Sequence, residues 1–309
     1  MAAIKIRAEL GKVIIGKEDN INLLIIALLS GGHVLLEGAP GVAKTLMAKL
    51  LAKTVNADFS RIQFTPDLMP SDILGTSIFN MNKSEFEFKQ GPIFSNLVLI
   101  DEINRSPAKT QAALFEVMEE KQISFDGKVY KMEEPFMVLA TQNPIDHEGT
   151  YRLPEAQLDR FIFKIIIDYP TLEEETAIIT RFNDFKNVID WDSINSFLDK
   201  KQLADFRRGI NDVQIEENLI KYIAEIVNTT RNSGDIFIGA SPRASLSILI
   251  ASKANAAISN RDFVTPEDIQ FVASPVLNHR IILTAEKEME GFTNADIVSN
   301  LIKNIEVPR

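Results

Sequence analysis

Cysteine is absent from this chain of 309 residues, and histidine and tryptophan are scarce, with three and one residues respectively. Without cysteine the chain can form no disulfide framework, no thiol nucleophile and no zinc site with cysteine ligands. The histidines, His33, His147 and His279, are scattered along the sequence without the spacing of metal ligands. We therefore expect no metal site built on histidine or cysteine.

Long hydrophobic runs are missing as well. Residues 23–29 are apolar, but this run is far shorter than the ~20 residues that span a bilayer. The first residues contain no apolar core of a signal peptide, so we expect a cytoplasmic protein without a membrane span. Basic residues are outnumbered by acidic ones, 33 against 43, giving a net charge of −10. This balance argues against a nucleic-acid motor.

The most informative stretch is a glycine-bearing turn at residues 38–45, GAPGVAKT. A short apolar strand pattern precedes it and an amphipathic helix pattern follows it. This context predicts a P-loop, in which backbone N–H groups and the helix N-terminus bind phosphate. We expect Lys44 to reach the β- and γ-phosphates and Thr45 to ligate Mg²⁺. The predicted backbone cradle consists of Gly38, Ala39, Pro40, Gly41, Val42 and Ala43.

Ala43 departs from the usual G-x-x-x-x-G-K-[ST] pattern, which has glycine before the lysine. Alanine is the next smallest residue, so a phosphate can still approach closely. A left-handed backbone at Ala43 would be strained.

Two carboxylates follow the apolar residues 97–100. A continuous Val/Ile/Leu run is typical of a central parallel strand, and open α/β sheets bind ligands at the carboxyl ends of their strands. We expect Asp101 to hold Mg²⁺ through water and Glu102 to polarise a water for attack on the γ-phosphate.

Asn143 follows a further buried strand pattern at residues 136–141. Its side chain can hydrogen-bond the γ-phosphate or the attacking water. It can equally form an Asx turn before Pro144, and the local sequence does not distinguish the two.

Strand and helix patterns alternate up to about residue 169, whereas only helical patterns follow. This predicts an α/β P-loop NTPase core with a parallel five-stranded sheet and a C-terminal all-helical lid domain. A capping box of Thr171 and Glu174 marks the boundary, which divides the chain into residues 1–170 and 171–309. Asp126 and Gly127 predict a two-residue hairpin turn, and Ser106 is predicted to cap the next helix with Pro107 at its first position.

Taken in order, these motifs resemble the MoxR family of AAA+ ATPases over about residues 15–275. The most specific stretches are residues 63–75, 101–111 and 153–161. The family often carries alanine before the P-loop lysine, which accounts for Ala43. By this resemblance, residues 63–90 form an insert in helix 2 and residues 121–132 form the hairpin before sensor 1.

The resemblance also implies roles for single residues. Glu102 is similar to the catalytic glutamate and Asn143 to sensor 1. Arg160 resembles the arginine finger that is offered to the neighbouring subunit's ATP, and Arg243 resembles sensor 2 on the lid.

Ile15 and Gly16 match the segment that lies along the adenine in this family. Arg105 either bridges subunits or makes a structural contact within its own chain. The aromatic residues of the helix-2 insert, among them Phe64 and Phe88, are expected to pack the insert rather than to stack on bases.

The function implied by the resemblance is Mg²⁺-dependent ATP hydrolysis by a homo-oligomeric ring, expected to be a hexamer. Such ATPases remodel or mature partner proteins, for example by metal-cofactor insertion, often with a von Willebrand factor A domain protein. Two alternatives remain at this stage, a DNA-associated AAA+ motor and a non-catalytic switch that binds ATP.

Overall fold

The computed structural model describes residues 2–143, 151, 153–184 and 191–308. Pro144 and His147, which are named above, lie outside this part of the chain. The strands are β1 (His33–Gly38), β2 (Phe59–Gln63), β3 (Gly75–Asn80), β4 (Glu85–Gln90), β5 (Leu97–Asp101), β6 (Gln122–Phe125), β7 (Lys128–Lys131), β8 (Met137–Gln142), β9 (Phe161–Ile167), β10 (Ile236–Ile238) and β11 (Ile282–Leu283).

The helices alternate with these strands in the first half of the chain and dominate the second. They are α1 (Ala2–Gly11), α2 (Glu18–Ser30), α3 (Lys44–Thr54), α4 (Pro70–Leu74), α5 (Ala108–Glu120), α6 (Glu155–Leu158), α7 (Leu172–Asp184), α8 (Lys200–Asn211), α9 (Glu217–Asn232), α10 (Pro242–Ile258), α11 (Pro266–Leu277), α12 (Ala285–Met289) and α13 (Asn294–Asn304). No described helix combines the length and apolar character needed to cross a bilayer.

The main sheet has five strands in the order β2-β5-β8-β1-β9, and all neighbouring pairs are parallel. Every residue of β5 is buried, because helices cover both faces of a parallel sheet and its central strands therefore contact no water. This confirms the predicted α/β core with five parallel strands.

The parallel arrangement gives the sheet two functionally different edges. Gly38, Gln63, Asp101 and Gln142 end their strands at one edge, which we call the carboxyl edge. His33 pairs with Phe161 where β1 and β9 begin, at the opposite edge, which we call the amino edge. Residues placed at different edges are separated by the length of a strand.

Apolar side chains form one cluster on each face of the sheet. The larger cluster joins residues of α1, α2 and α3 to residues of the lid helices, such as Leu203, Ile226 and Val276. The smaller cluster packs α5 against the other face through Leu114 and Phe115. The lid therefore shares a continuous core with the N-terminal helices.

The start of α5 differs from the prediction. The helix begins at Ala108 with Pro107 at its N-cap position, and no side chain caps it. Ser106 is fully buried, and its Oγ has no hydrogen-bond partner among the described atoms. The predicted serine cap is therefore wrong by one residue, because the short 3₁₀ turn at Ile103–Arg105 displaces the helix start.

Two antiparallel hairpins, β3–β4 and β6–β7, project from the core. Asp126 and Gly127 both have positive φ angles, 49° and 72°, as the predicted two-residue turn requires. Phe88 joins the hairpins by packing on Phe125 and Tyr130, with ring centroids 4.8 and 4.5 Å apart. The two hairpins therefore form one unit, which we call the hairpin pair.

The lid contains the predicted helices and one feature that the sequence analysis did not anticipate. The strands β10 and β11 pair as a short antiparallel ribbon. Two- and three-residue strands carry no detectable alternation, so the sequence could not indicate them. The capping box at the start of α7 is confirmed, since the Thr171 N–H donates to Glu174 Oε2 at 2.8 Å and the Glu174 N–H to Thr171 Oγ1 at 3.2 Å.

Candidate functional site

The turn between β1 and α3 has the geometry of a phosphate cradle. A Cβ atom on Gly38 would lie 2.4 Å from the backbone oxygen of Ile167, so only glycine allows β9 to pack this closely. Gly41 faces open space, and no side chain caps the N-terminus of α3. The first N–H groups of α3 are therefore available to an anion, and the helix dipole favours one there.

Ala43 adopts the left-handed conformation that the sequence analysis identified as strained, with φ of 66° and ψ of 17°. This conformation costs about 1–2 kcal/mol for a residue with a Cβ. The departure from glycine therefore preserves the loop's shape at an energetic cost.

Lys44 folds back onto the loop and donates to the backbone carbonyls of Gly38 and Ala39, the latter at 3.2 Å. Burial lowers the pKa of Lys44, and the carboxylates of Asp101, Glu102 and, to a smaller extent, Glu37 oppose that change. The ammonium group thus lies between the loop and the acidic ends of the neighbouring strands, where it can meet a phosphate.

Asp101 ends β5 at the carboxyl edge, and its side chain is held on both oxygens. The Thr141 hydroxyl donates to Oδ1 at 3.2 Å, and Arg61 Nε donates to Oδ2 at 2.5 Å. The Glu102 N–H in turn donates to the Thr141 hydroxyl at 3.0 Å. This network fixes the acid against the next strand.

Glu102 also has a left-handed backbone, with φ of 58°. Its Oε2 accepts from Gln63 Nε2 at 3.1 Å and from Arg105 Nη1 at 2.7 Å. Arg105 therefore makes an ion pair within its own chain, in line with the structural interpretation of this residue. Sequence reasoning assigned no role to Arg61, Gln63 or Thr141. The register of β2, which pairs Gln63 with Asp101, is what brings the first two to the site.

Asn143 and the segment of Ile15 and Gly16 lie at the same edge. Asn143 follows β8, whose last residue pairs with Glu37 just before the loop. Gly16 lines a polar cavity of about 240 Å³ with residues at the end of β9. Glu174 of α7 lies against Gly16, because a Cβ there would be 1.8 Å from its Oε1. The structure therefore brings Gly16 and Asn143 to the carboxyl edge of the sheet, where the loop also lies.

Arg160 and Arg243 lie elsewhere. Arg160 directly precedes β9, at the amino edge of the sheet. Its Nε donates to Glu119 Oε2 at 3.3 Å, and Arg243 Nη2 donates to Glu119 Oε1 at 3.0 Å. The structure thus brings the two arginines together, but it does not bring either one to the P-loop of its own chain.

Comparisons with known proteins agree with this geometry. Residues 33–163 match the family described as "ATPase family associated with various cellular activities (AAA)", and residues 228–301 match the AAA lid domain. The chain is 44% identical to the uncharacterized protein YeaC of Bacillus subtilis, covering 97% of this chain and 93% of that protein.

Two further relatives extend the comparison. Chaperone MoxR1 of Mycobacterium tuberculosis is 40% identical over 97% of this chain and 81% of its own length. A crystal structure of a Cytophaga hutchinsonii protein is 44% identical, covers 100% of this chain and 97% of that chain, and superposes with a TM-score of 0.89.

Sheet order, phosphate loop and helical lid together define a P-loop ATPase of the AAA+ class. Within that class the chain belongs to the MoxR family, as its identity to relatives over nearly their full length shows.

Proposed function

We propose that this ATPase is active as a ring in which Arg160 and Arg243 of one subunit serve the P-loop of the next. The observation that supports this is their position at the amino edge, opposite the loop. The six residues of β1 separate the two edges by about 17 Å. Because an arginine side chain is much shorter than this, neither Arg160 nor Arg243 can reach the γ-phosphate site of its own chain.

Within one subunit the loop residues would hold ATP, with the adenine beside Ile15 and Gly16. The donor set of the Thr45 hydroxyl and the Asp101 carboxylate fits Mg²⁺, which commonly takes one or two carboxylates together with substrate phosphates. The bound ion would neutralise charge on the phosphates. Glu102 accepts a proton from the attacking water, and Asn143 orients that water or the γ-phosphate.

We assign residues 1–170 to the nucleotide-binding core and residues 171–309 to the lid. An arginine supplied from a neighbour is worth about 10³–10⁵ in rate, so assembly becomes a condition of turnover. A closed ring of head-to-tail contacts provides this geometry, and we propose six subunits.

The output of this cycle is chaperone-like remodelling of partner proteins, as the name of the MoxR1 relative suggests. The hairpin pair provides a contact surface, because Phe79 and Phe86 pack edge-to-face 5.2 Å apart and remain exposed. In more detail, we propose that the partner contains a von Willebrand factor A domain. We also propose that the remodelling serves maturation by metal-cofactor insertion.

Turnover measured as a function of protein concentration tests the ring. We expect the rate per chain to rise with concentration and to vanish in Glu102→Gln. Arg160→Ala should bind ATP but not hydrolyse it. Mixing Arg160→Ala with Glu102→Gln should restore turnover, because the second variant offers intact arginines to the P-loop of the first. A mixture as inactive as its components would contradict the shared site.

Partner binding needs a separate measurement. Glu102→Gln holds ATP without hydrolysing it, so a remodelling ATPase should retain its partners in this state. We expect proteins captured on tagged Glu102→Gln with ATP to be released when ATP is removed. Capture that is independent of nucleotide would contradict an ATP-driven cycle.

A further inference from the structure

Arg280 is a buried charge outside the cleft. It lies just beyond α11, and only 2% of its side chain is exposed. Burial lowers the pKa of Arg280, and the Asp159 carboxylate opposes that change. Arginine stays charged at ordinary pH, and a buried charge is tolerated only where it is paired and hydrogen-bonded. The groups that pair with this guanidinium therefore show what the buried charge holds in place.

The guanidinium binds the backbone on both sides of Arg160 and the side chain of Asp159. Its Nε donates to Asp159 Oδ1 at 2.6 Å, and its Nη2 donates to the carbonyls of Asp159 and Phe161 at 3.0 and 2.8 Å. Further bonds join it to the lid, namely Nη1 to the Val276 carbonyl at 2.8 Å and Nη2 to Ser247 Oγ at 3.2 Å.

Asp159 also links to the segment that carries Arg243. Ser241 Oγ donates to Asp159 Oδ2 at 3.1 Å, and Arg243 Nη1 lies 3.9 Å from the same oxygen. The Asp159 carboxylate therefore accepts a hydrogen bond from Arg280 on one oxygen and from Ser241, at the start of α10, on the other. Arg160 is the next residue in the chain, so its backbone is fixed by the same contacts.

We propose that Arg280 is the positioning residue that holds Arg160 and Arg243 as one unit. It locks the lid to the Asp159–Phe161 segment, so that both arginines reach the neighbouring subunit's nucleotide in a fixed arrangement. This rests on the proposed function, in which the two arginines act across subunits. The planar fork of arginine is needed, because lysine cannot donate to several acceptors in one plane.

Arg280→Lys is the variant that tests the role, since it keeps the charge and removes the fork. A misplacement of about 1 Å in a catalytic group can lower the rate about 10²-fold. We expect kcat to fall by that order while the KM for ATP and the affinity for a fluorescent ATP analogue stay within about twofold. Asp159→Asn, which keeps the volume but weakens the bond to Arg280, should lower kcat in the same direction.

Mixed assemblies separate positioning from a merely structural effect. Glu102→Gln cannot hydrolyse ATP but offers intact arginines to its neighbour. Equal mixing with Arg280→Lys should restore turnover to about a quarter of the wild-type rate, since about one head-to-tail interface in four pairs the right subunits. Restoration would show that the P-loop of Arg280→Lys is sound and that its defect lies in what it offers to the next subunit.

Arg261→Lys is the matched control. Arg261 also forms a bidentate pair in the lid, with both Asp268 oxygens at 2.7 Å. Among the described residues, no hydrogen bond or ion pair joins its side chain to the Asp159–Phe161 segment. We expect Arg261→Lys to lower thermal stability with little change in kcat.

The mixture of Arg160→Ala with Glu102→Gln distinguishes the positioning role of Arg280 from the shared site between subunits. If Arg160→Ala is rescued by Glu102→Gln and Arg280→Lys is not, the positioning role is overturned while the shared site stands. If neither mixture is active, the shared site itself fails. Equal kcat losses in Arg280→Lys and Arg261→Lys would also overturn the positioning role.

Discussion

Arg160 and Arg243 bind different oxygens of a single carboxylate, that of Glu119, although one precedes a strand of the sheet and the other begins a lid helix. The guanidinium of Arg160 also lies over the ring of Phe115, 5.8 Å from its centroid. Core and lid thus present two cations at one point. A phosphate from another subunit could take the place of the Glu119 carboxylate there.

The first prediction concerns the competition between the Glu119 carboxylate and a phosphate for Arg160 and Arg243. Each arginine must leave Glu119 to reach a phosphate, and an exposed ion pair is worth about 0–1 kcal/mol. Glu119→Gln should therefore raise turnover about two- to fivefold at subsaturating protein concentration, and lower the free energy of unfolding by no more than about 1 kcal/mol.

Glu116→Gln is its control, because it removes the same charge from the same helix. A loss of turnover in Glu119→Gln as large as in Arg160→Ala would show that Glu119 orients the arginines in the active ring.

The second prediction concerns magnesium. Arg61 Nε lies 2.5 Å from Asp101 Oδ2, so a cation already neutralises the acid that is proposed to hold Mg²⁺. Two unit charges about 4 Å apart interact by about 1 kcal/mol in water, and half of the Arg61 side chain is exposed. Arg61→Gln should lower the Mg²⁺ concentration for half-maximal turnover about fivefold.

Arg208→Gln serves as the comparison, since Arg208 pairs with Asp205 on the exposed surface of α8. Removal of the metal by a chelator should abolish turnover in all three proteins. An increased magnesium requirement in Arg61→Gln would mean that Arg61 holds Asp101 in its ligating position.

The third prediction uses the strained alanine of the loop. Ala43→Gly removes the penalty of the left-handed conformation, about 1–2 kcal/mol, but adds conformational entropy to the unfolded chain. We expect a net stabilisation of about 0.5 kcal/mol. Ala112→Gly, in the exposed interior of α5, should instead destabilise the protein by about 1 kcal/mol. Urea unfolding of both variants checks this, and a destabilised Ala43→Gly would contradict it.

Patterns that are local in the sequence allowed most of the core to be predicted. The loop, the strand β5 and the turn at Asp126 each lie within one short stretch, so their residue types determine the backbone directly. Asp101 and Glu102 could be placed at the carboxyl edge because parallel strands end together.

Long-range charge pairing could not be predicted. Glu119 ends a helix among other acids, and such a residue usually faces solvent. Arg280 and Asp159 are 121 positions apart in the sequence, and no periodicity relates them. The pairing depends on how the lid packs on the sheet, which the sequence pattern does not express.

The last prediction concerns pH and the buried His33. Its Nδ1 accepts the Val138 N–H at 2.9 Å, and its Nε2 lies 3.1 Å from the Met118 carbonyl. Only the neutral ring with its proton on Nε2 satisfies both contacts. Burial lowers the pKa of His33 from 6.5 to about 4, because charging the ring would cost solvation and leave the Val138 N–H without an acceptor.

The lowered pKa of His33 makes the free energy of unfolding depend on pH. Between about pH 6.5 and 4 the unfolded chain binds a proton at His33 that the folded chain does not, so the free energy of unfolding falls as the pH falls through this window. The full loss is roughly 3 kcal/mol. His33→Gln should show a shallower decline in urea unfolding at pH 7.5, 6 and 5. His279, also buried with a lowered pKa, titrates in both proteins, so the difference between their curves isolates His33. Parallel curves would show that His33 is not the group responsible.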